Sequence, residues 1–300
     1  MRIFGVDYRA PAAGDVFTQG LVHAAQQLGI DYAHADVLDR SLDTQVDAFD
    51  PDLLLVVHGR QAATRWRGLL ARYPTAVWLL DEPYETDETA SWSGLYTHVF
   101  MNDSVTLDRH HNAAICPTCY DPSTHYPGDG PRPYRVGFVG QVQGSRATYL
   151  AALGDRLDLL VADVVAPGPL RRRRQRSVRP PDVAALYRQT QIVVNVFRDQ
   201  HQYNREQRRA TALNPRIYEA TACGALVLSD WRPALDDAVP QLPTFSSPAQ
   251  LVELADWYLA DPVARAQRAT LCRVALAGDT YAARLVTMLD VIGVRAQGAA

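Results

Sequence analysis

The sequence predicts an α/β protein built as two Rossmann-like doubly wound domains facing each other across a cleft. Three observations carry that expectation. Short apolar runs are continuous rather than alternating, which marks strands of a parallel sheet covered on both faces. Helical stretches separate them, as the crossovers of such a sheet require. A proline-rich segment, Pro117 to Pro133, breaks the pattern with five prolines and two glycines, and the alternation restarts at Tyr134.

The elements follow in order. Arg2 to Val6 reads as a strand and Asp15 to Leu28 as a helix with Val16, Leu21, Ala24 and Leu28 on one stripe. Strands at Leu53–Val57, Ala76–Leu80, His98–Met101 and Ala113–Ile115 are separated by helical stretches at Ala62–Tyr73 and Ser104–His110. After the break, strands at Tyr134–Val139, Leu157–Val161, Gln191–Val196 and Ala225–Ser229 alternate with helices at Arg146–Leu153, Pro181–Gln189 and Pro215–Cys223. Three consecutive helices, Leu251–Leu259, Pro262–Ala277 and Thr280–Ile292, close the chain. The expected domains are residues 1–128 and 129–300, with the last helix a candidate to cross back to the first.

Composition narrows the chemistry. The 300 residues are 47% hydrophobic and 21% charged, a globular balance that excludes a disordered or collagen-like chain. All 30 basic residues are arginine, so Schiff-base and phosphate-loop lysine chemistry is excluded. Only six of the 33 acidic residues are glutamate. A formal charge of −3 gives no global reason to expect nucleic acid. Met1-Arg2 leads directly into a strand, the apolar runs are too short to span a bilayer, and four scattered cysteines do not form a secreted framework, so a cytoplasmic location is expected.

In open parallel sheets ligands bind beyond the carboxyl ends of the strands. That rule selects Asp7, His58-Gly59, Asp81-Glu82, Asn102-Asp103, Gly140-Gln141 and Arg198. The most informative run is Asn214-Pro215-Arg216-Ile217-Tyr218-Glu219, which reads as an asparagine cap, proline at the first helical position, and a helix stopped by Gly224. Arg216 at the helix amino end suits a phosphate. Glu219, about one turn along the same face, could accept hydrogen bonds from both hydroxyls of a ribose; the bland alternative is a solvated helix residue beside Arg216. His58, Asp81 and Glu82 are the candidate base or orienting groups.

Cys116-Pro117-Thr118-Cys119 lacks the second pair that a zinc site needs, and His110-His111 reads as a polar helix end. No metal site and no cofactor are expected. Arg171 to Arg176 is a compact positive patch that either is solvated or contacts an anionic partner. The arginine-rich stretch Arg198 to Leu213 is a candidate lid.

The run from Asn214 to Gly224 resembles the nucleotide-sugar motif of GT-B glycosyltransferases, in particular the spore-maturation-type branch with its N-x-R-x-x-E-x-x-A-C-G pattern. Val136-Gly137-Phe138-Val139-Gly140 with Arg146, Leu186-Tyr187 with Ile192 to Asn195, and Asp279-Thr280-Tyr281 with Arg284 are similar to further segments of that family. Trp78 to Tyr84 looks like its W-x-x-D-x-P-Y turn. The resemblance implies metal-independent transfer of a sugar from a nucleoside diphosphate to an unidentified acceptor, with retention of configuration. The nucleotide sugar is then the donor substrate rather than a cofactor. The first domain would take the acceptor and the second the donor, held by Gly140, Arg146, Arg198, Asn214, Pro215, Arg216 and Glu219. Two departures stand out: Thr211 occupies the place of a second glutamate found in many retaining relatives, and Gln141 stands where arginine is common. A non-catalytic nucleotide-sugar-binding module and a sugar-nucleotide epimerase on the same fold are the alternatives. The acceptor could be anionic on account of the Arg171–Arg176 patch, while a nucleic-acid partner is not favoured.

Overall fold

The computed structural model describes residues 1–8, 14–161, 174–175, 180–199 and 203–293. The chain divides by packing into two units: Met1–Asp121 with His201–Ala212 and Thr280–Ala300, and Pro122–Gln200 with Leu213–Asp279. Each holds one six-stranded parallel sheet.

In the first unit β1 (Arg2–Asp7), β2 (Asp31–Asp36), β3 (Leu53–Val57), β4 (Thr75–Leu79), β5 (His98–Met101) and β6 (Ala113–Ile115) lie in the order β2-β1-β3-β4-β5-β6. Val6 pairs with Val56 and Val56 with Val77, so the middle strands are apolar on both faces. Leu54 and Val56 point into one core and Leu53, Leu55 and Val57 into the other. The helices are α1 (Gly14–Gln27), α2 (Leu42–Phe49), α3 (Arg60–Arg65), α4 (Arg67–Leu70) and α5 (Thr86–Trp92).

In the second unit β7 (Tyr134–Val139), β8 (Leu157–Val161), β9 (Arg174–Gln175), β10 (Thr190–Asn195), β11 (Leu226–Asp230) and β12 (Thr244–Phe245) take the order β12-β11-β10-β7-β8-β9. That is the dinucleotide-binding strand order, with its reversal between β7 and β10. The helices are α6 (Arg146–Ala152), α7 (Pro180–Arg188), α8 (Pro215–Ala222), α9 (Pro233–Ala238), α10 (Pro248–Ala260) and α11 (Pro262–Ala275). The final helix, α12 (Tyr281–Ile292), belongs to the first unit, where Tyr281, Leu285, Met288 and Leu289 share a core with Phe17, Leu21 and Trp78. Gly20 on α1 makes the approach possible, since a Cβ there would collide with the Tyr281 ring.

Several elements differ from expectation for local physical reasons. The strand β2, Asp-Tyr-Ala-His-Ala-Asp, sits at the sheet edge and is mostly half-exposed, so it carries no apolar run. The helix expected over 62–73 is broken at Trp66, whose φ is −123° and whose indole donates to the Val37 carbonyl. Ser104–Arg109 is a 3-10 turn capped by Asp103 rather than an α-helix.

The proline-rich segment has little regular structure but is firmly held. On the first unit's side Arg284 donates to the carbonyls of Pro117 and Thr118. On the second unit's side Arg132 donates to those of Tyr187, Thr190 and Cys223. Cys116 and Cys119 are buried and form no disulfide, and burial pushes the Cys116 thiol up to about 12, which leaves it unreactive at neutral pH. Among the described residues no helix is long and apolar enough to cross a membrane.

Candidate functional site

The reversal of strand order in the second unit puts the ends of β7 and β10 side by side, and the expected nucleotide-binding residues gather there. Arg216, on the first turn of α8, donates from Nε to the Val139 carbonyl at 2.8 Å and from Nη1 to Asn195 Oδ1 at 2.6 Å. Its guanidinium lies 4.6 Å from the centre of the Phe138 ring. Gly140, with φ +141°, leaves room for that guanidinium, because a Cβ there would collide with Nη2. The glycine therefore makes space for an arginine, where the resemblance had implied that Gly140 helps to hold the donor.

Asn214 sits at the amino end of α8 with Pro215 at the first helical position, yet its side chain makes no capping bond. It turns instead to Asn195, donating from Nδ2 at 2.8 Å, which leaves its own Oδ1 buried without a hydrogen-bond partner among the described residues. Asn195, fully buried, is thus the hub: it accepts from Asn214 and Arg216 and donates to Ser229 Oγ.

Glu219 is 9% exposed, with the charges of His125 and Arg216 acting on its carboxylate. Burial pushes its pKa up, and the charges of His125 and Arg216 pull it back only in part. The reading of Glu219 as a solvated helix residue is excluded by this burial. Arg146 donates to the carbonyls of Val196 (2.8 Å) and Gln141 (3.0 Å), tying the two strand ends together. Arg198 is half-buried on the same edge, and its carbonyl accepts from Arg232. Asp230, after β11, accepts from the Phe197 amide at 2.9 Å, and burial pushes its carboxyl up to about 6. Sequence reasoning missed Asn195 as a hub, along with Tyr187, His125 and Asp230; only their burial beside Arg216, Glu219 and Phe197 reveals them.

In the first unit an open recess of about 70 Å³ lies beyond the ends of β1, β3 and β4. Tyr8, His58, Arg60, Asp81, Glu85 and Glu88 supply its polar lining. His58 adopts φ +61°, packs on the Tyr8 ring at 4.0 Å between centres, and holds Nδ1 3.6 Å from Asp81 Oδ2. Burial lowers the imidazole pKa despite the Asp81 charge, so the ring is neutral at pH 7 and able to take a proton.

Glu82 does not join this recess. Its side chain has no exposure, and its oxygens accept from Thr89 Oγ1 at 2.5 Å and Thr106 Oγ1 at 2.7 Å. Burial pushes its pKa up, but hydrogen bonds centred on His110, Thr89 and Thr106 outweigh that and hold it low. Adjacent carboxylates after a strand thus divide into an outward Asp81 and an inward structural Glu82. His110, expected at a polar helix end, is buried instead: its Nδ1 is 2.9 Å from Ser93 Oγ and its Nε2 3.6 Å from Glu82. The series serine–histidine–carboxylate has the order of a hydrolytic triad, but no substrate can reach side chains that have no exposed surface.

The stretch expected to act as a lid is fastened to the first unit. Asp87 and Tyr84 exchange backbone hydrogen bonds with Tyr203. Arg208 forms a forked pair with Asp108 and donates to the Val105 carbonyl. Buried Asp103 accepts from the amides of Thr211 (2.6 Å) and Ala212 (2.8 Å) and from the Thr211 hydroxyl (2.7 Å). Thr211 is therefore an anchor. Of the Arg171–Arg176 patch, only residues 174 and 175 are described, as β9, and its other residues lie outside the described ones. No group of three histidine, cysteine or acidic side chains able to hold a metal occurs among the described residues.

Residues 146–290 match the family model described as "Glycosyl transferase-like". No curated protein matches the chain by sequence. Among solved structures, an α-glucosyltransferase bound to UDP and a DNA 13-mer containing a HMU base superposes with a TM-score of 0.72 at 9% identity, covering 98% of this chain and 99% of that one. A glycosyltransferase involved in avilamycin A biosynthesis gives 0.68 at 13% identity, covering 100% and 99%. A putative UDP-N-acetylglucosamine 2-epimerase from Listeria monocytogenes gives 0.60 at 11% identity, covering 97% and 96%. The fold is thus of the GT-B type: two parallel-sheet α/β units, with residues 146–290 matching a glycosyltransferase-like model.

Proposed function

We propose that the chain is a nucleotide-sugar-dependent glycosyltransferase, binding its donor at the β7/β10 edge of the second unit and its acceptor in the recess of the first. The observation that carries this reading is Glu219: a buried carboxylate with a raised pKa, one helical turn from Arg216, at the strand-order reversal. Burying such a group is costly unless donors arrive with a ligand, and the two hydroxyls of a ribose are donors of the right kind. The buried Asn214 Oδ1 is a second acceptor awaiting a donor. The glycosyltransferase-like match over 146–290 covers the β10 and α8 side of this edge, with Arg146, Arg216 and Glu219.

In this reading the leaving diphosphate is neutralised by arginines at the amino end of α8 and the strand edge, Arg216, Arg146 and Arg198, together with the helix dipole. Lysine is absent and no Asp-x-Asp pair lies at this edge, so arginine is the available cation and in this reading transfer proceeds without a metal. Asp81 and neutral His58 orient and deprotonate the acceptor hydroxyl. The run from Asn214 to Gly224 supports membership of the spore-maturation-type branch, and with it transfer that retains the anomeric configuration.

A panel of nucleoside-diphosphate sugars tests this. A donor should raise the melting temperature and be turned over to free nucleoside diphosphate, at an unchanged rate in EDTA. Glu219→Ala should weaken donor binding at least tenfold. Binding without nucleotide release would favour a non-catalytic module, release of the free epimeric sugar would favour an epimerase, and absence of any binding would refute all three.

A further inference from the structure

The histidine beside the first unit's recess is presented by a backbone that few side chains adopt. His58 has φ +61° and Gly59 φ +81°, two left-handed residues in succession between β3 and α3. The Gly59 amide donates to the Val57 carbonyl at 2.8 Å, so the chain bends sharply with His58 at the apex. A left-handed residue other than glycine is costly and persists where its surroundings over-determine it. The sequence of strand, sharp turn and helix lifts the apical side chain clear of the sheet edge. His58 thus emerges with Nδ1 3.6 Å from Asp81 Oδ2 and its ring against that of Tyr8.

Three sets of contacts hold the bend. The His58 amide donates to the Trp78 carbonyl at 3.0 Å, continuing the β3–β4 ladder past the end of β3. Gly59 packs so closely on Val77 and Trp92 that a Cβ there would collide with both. The Gly59 carbonyl accepts twice, from the Ala63 amide at 2.8 Å and from the Tyr96 hydroxyl at 2.7 Å. Tyr96 lies just before β5, and its ring is buried against Trp92, edge-on at 6.0 Å between centres. Burial raises its phenol pKa, so the hydroxyl stays protonated and able to donate at neutral pH. Packing accounts for the ring but not for the hydroxyl, since phenylalanine would fill the same space. We infer that Tyr96 is a positioning residue for His58: its hydroxyl holds the Gly59 carbonyl, and through it the left-handed turn that sets the imidazole beside Asp81. That His58 serves an acceptor hydroxyl rests on the glycosyl-transfer reading; the hold on its ring does not.

The groups facing the imidazole are Asp81, which favours its protonation, and Arg60, which opposes it, with Tyr8 and Phe17 packed on the ring. Burial is the main cause of its lowered pKa, so a turn that relaxes and uncovers the ring raises that pKa. The test is an NMR titration of the imidazoles in the full chain, with the His58 signal identified by its loss in His58→Gln. Tyr96→Phe, which removes only the hydroxyl, should raise the His58 midpoint by about half a pH unit or more. Thr75→Val, which deletes the Thr75–Thr97 hydroxyl contacts at the amino end of β4, should lower the melting temperature by a similar few degrees and leave His58 unmoved. A midpoint unmoved in Tyr96→Phe, or moved equally in Thr75→Val, would overturn the inference. With a donor found in the nucleotide-sugar panel, Tyr96→Phe should slow nucleotide release about tenfold at unchanged donor KM, and a rate equal to the parent's would overturn the positioning role. The titration needs no substrate. A moved midpoint in a protein that binds no donor would defeat the glycosyl-transfer reading alone, and donor turnover with an unmoved midpoint would defeat this inference alone.

Discussion

Glu219 is held in a state that folding by itself disfavours. Its pKa is raised by burial, so the carboxyl contributes fully to stability below the unfolded value of 4.5, and that contribution is lost as pH rises through the higher folded value. Glu219→Gln should therefore raise the melting temperature at pH 7 while weakening nucleotide binding. Paired thermal and calorimetric titrations measure both, and a variant that loses stability and binding together would show that the carboxylate is structural. Asp230 behaves alike on a narrower scale: with its carboxyl pushed up to about 6 from 3.8, its stabilisation declines between about pH 4 and pH 6. Asp230→Asn, which keeps an acceptor for the Phe197 amide, should be the more stable protein at pH 7 by about 2 kcal/mol and lose that advantage near pH 4, by urea unfolding at both values. The sequence made Glu219 conspicuous through the rarity of glutamate and its helix position. It gave no sign of Asp230, whose burial comes from elements distant in the chain.

At the scale of elements, the turn after β7 and the first turn of α8 form one device. The left-handed backbone at Gly140 and the absence of a Cβ admit the Arg216 guanidinium, which then bonds Val139 and Asn195. Gly140→Ala should cost about 2 kcal/mol through backbone strain and expel the guanidinium, so donor affinity should fall with stability. Arg216→Gln, which relieves the collision, should restore much of the stability of the alanine variant but not its donor affinity. The segment 203–212 shows a second case, where arginines that read as phosphate-seeking are satisfied within the protein. Arg208 is spent on Asp108 and Glu206, and Asp103 takes the Thr211 and Ala212 amides. Asp103→Ala should cost about 3 kcal/mol by orphaning these donors and should make residues 203–212 the first site of limited proteolysis. Cleavage elsewhere first would contradict the anchoring role.

At the scale of the molecule, the linear order of the chain and its folding units do not coincide. The helix α12, last in sequence, completes the core of the first unit with Tyr281, Ala282, Leu285, Met288 and Leu289. At roughly 1.5 kcal/mol for each buried apolar side chain this is about 7 kcal/mol, comparable to the whole stability of a domain. A fragment of residues 1–128 should therefore bind a hydrophobic dye and lack a cooperative thermal transition, whereas the same fragment joined by a flexible linker to residues 279–293 should fold. A cooperatively folded short fragment would show that α12 is dispensable.

The sequence by itself determined the parallel α/β class, the central strands, the α8 motif and the exclusion of lysine chemistry. These follow from local composition: a strand buried on both faces must be apolar throughout, and a helix start needs particular residues at fixed places. Tertiary structure alone decided which polar residues face outward. Nothing in Asp81-Glu82 distinguishes an exposed carboxylate from one sealed by Thr89 and Thr106, because the threonines reach it from α5 and from the 3-10 turn after β5. Nor does local sequence assign Arg208 to the first unit, where long-range pairing holds it; the return of α12, a candidate from the sequence, is settled by the demand for a covered apolar face.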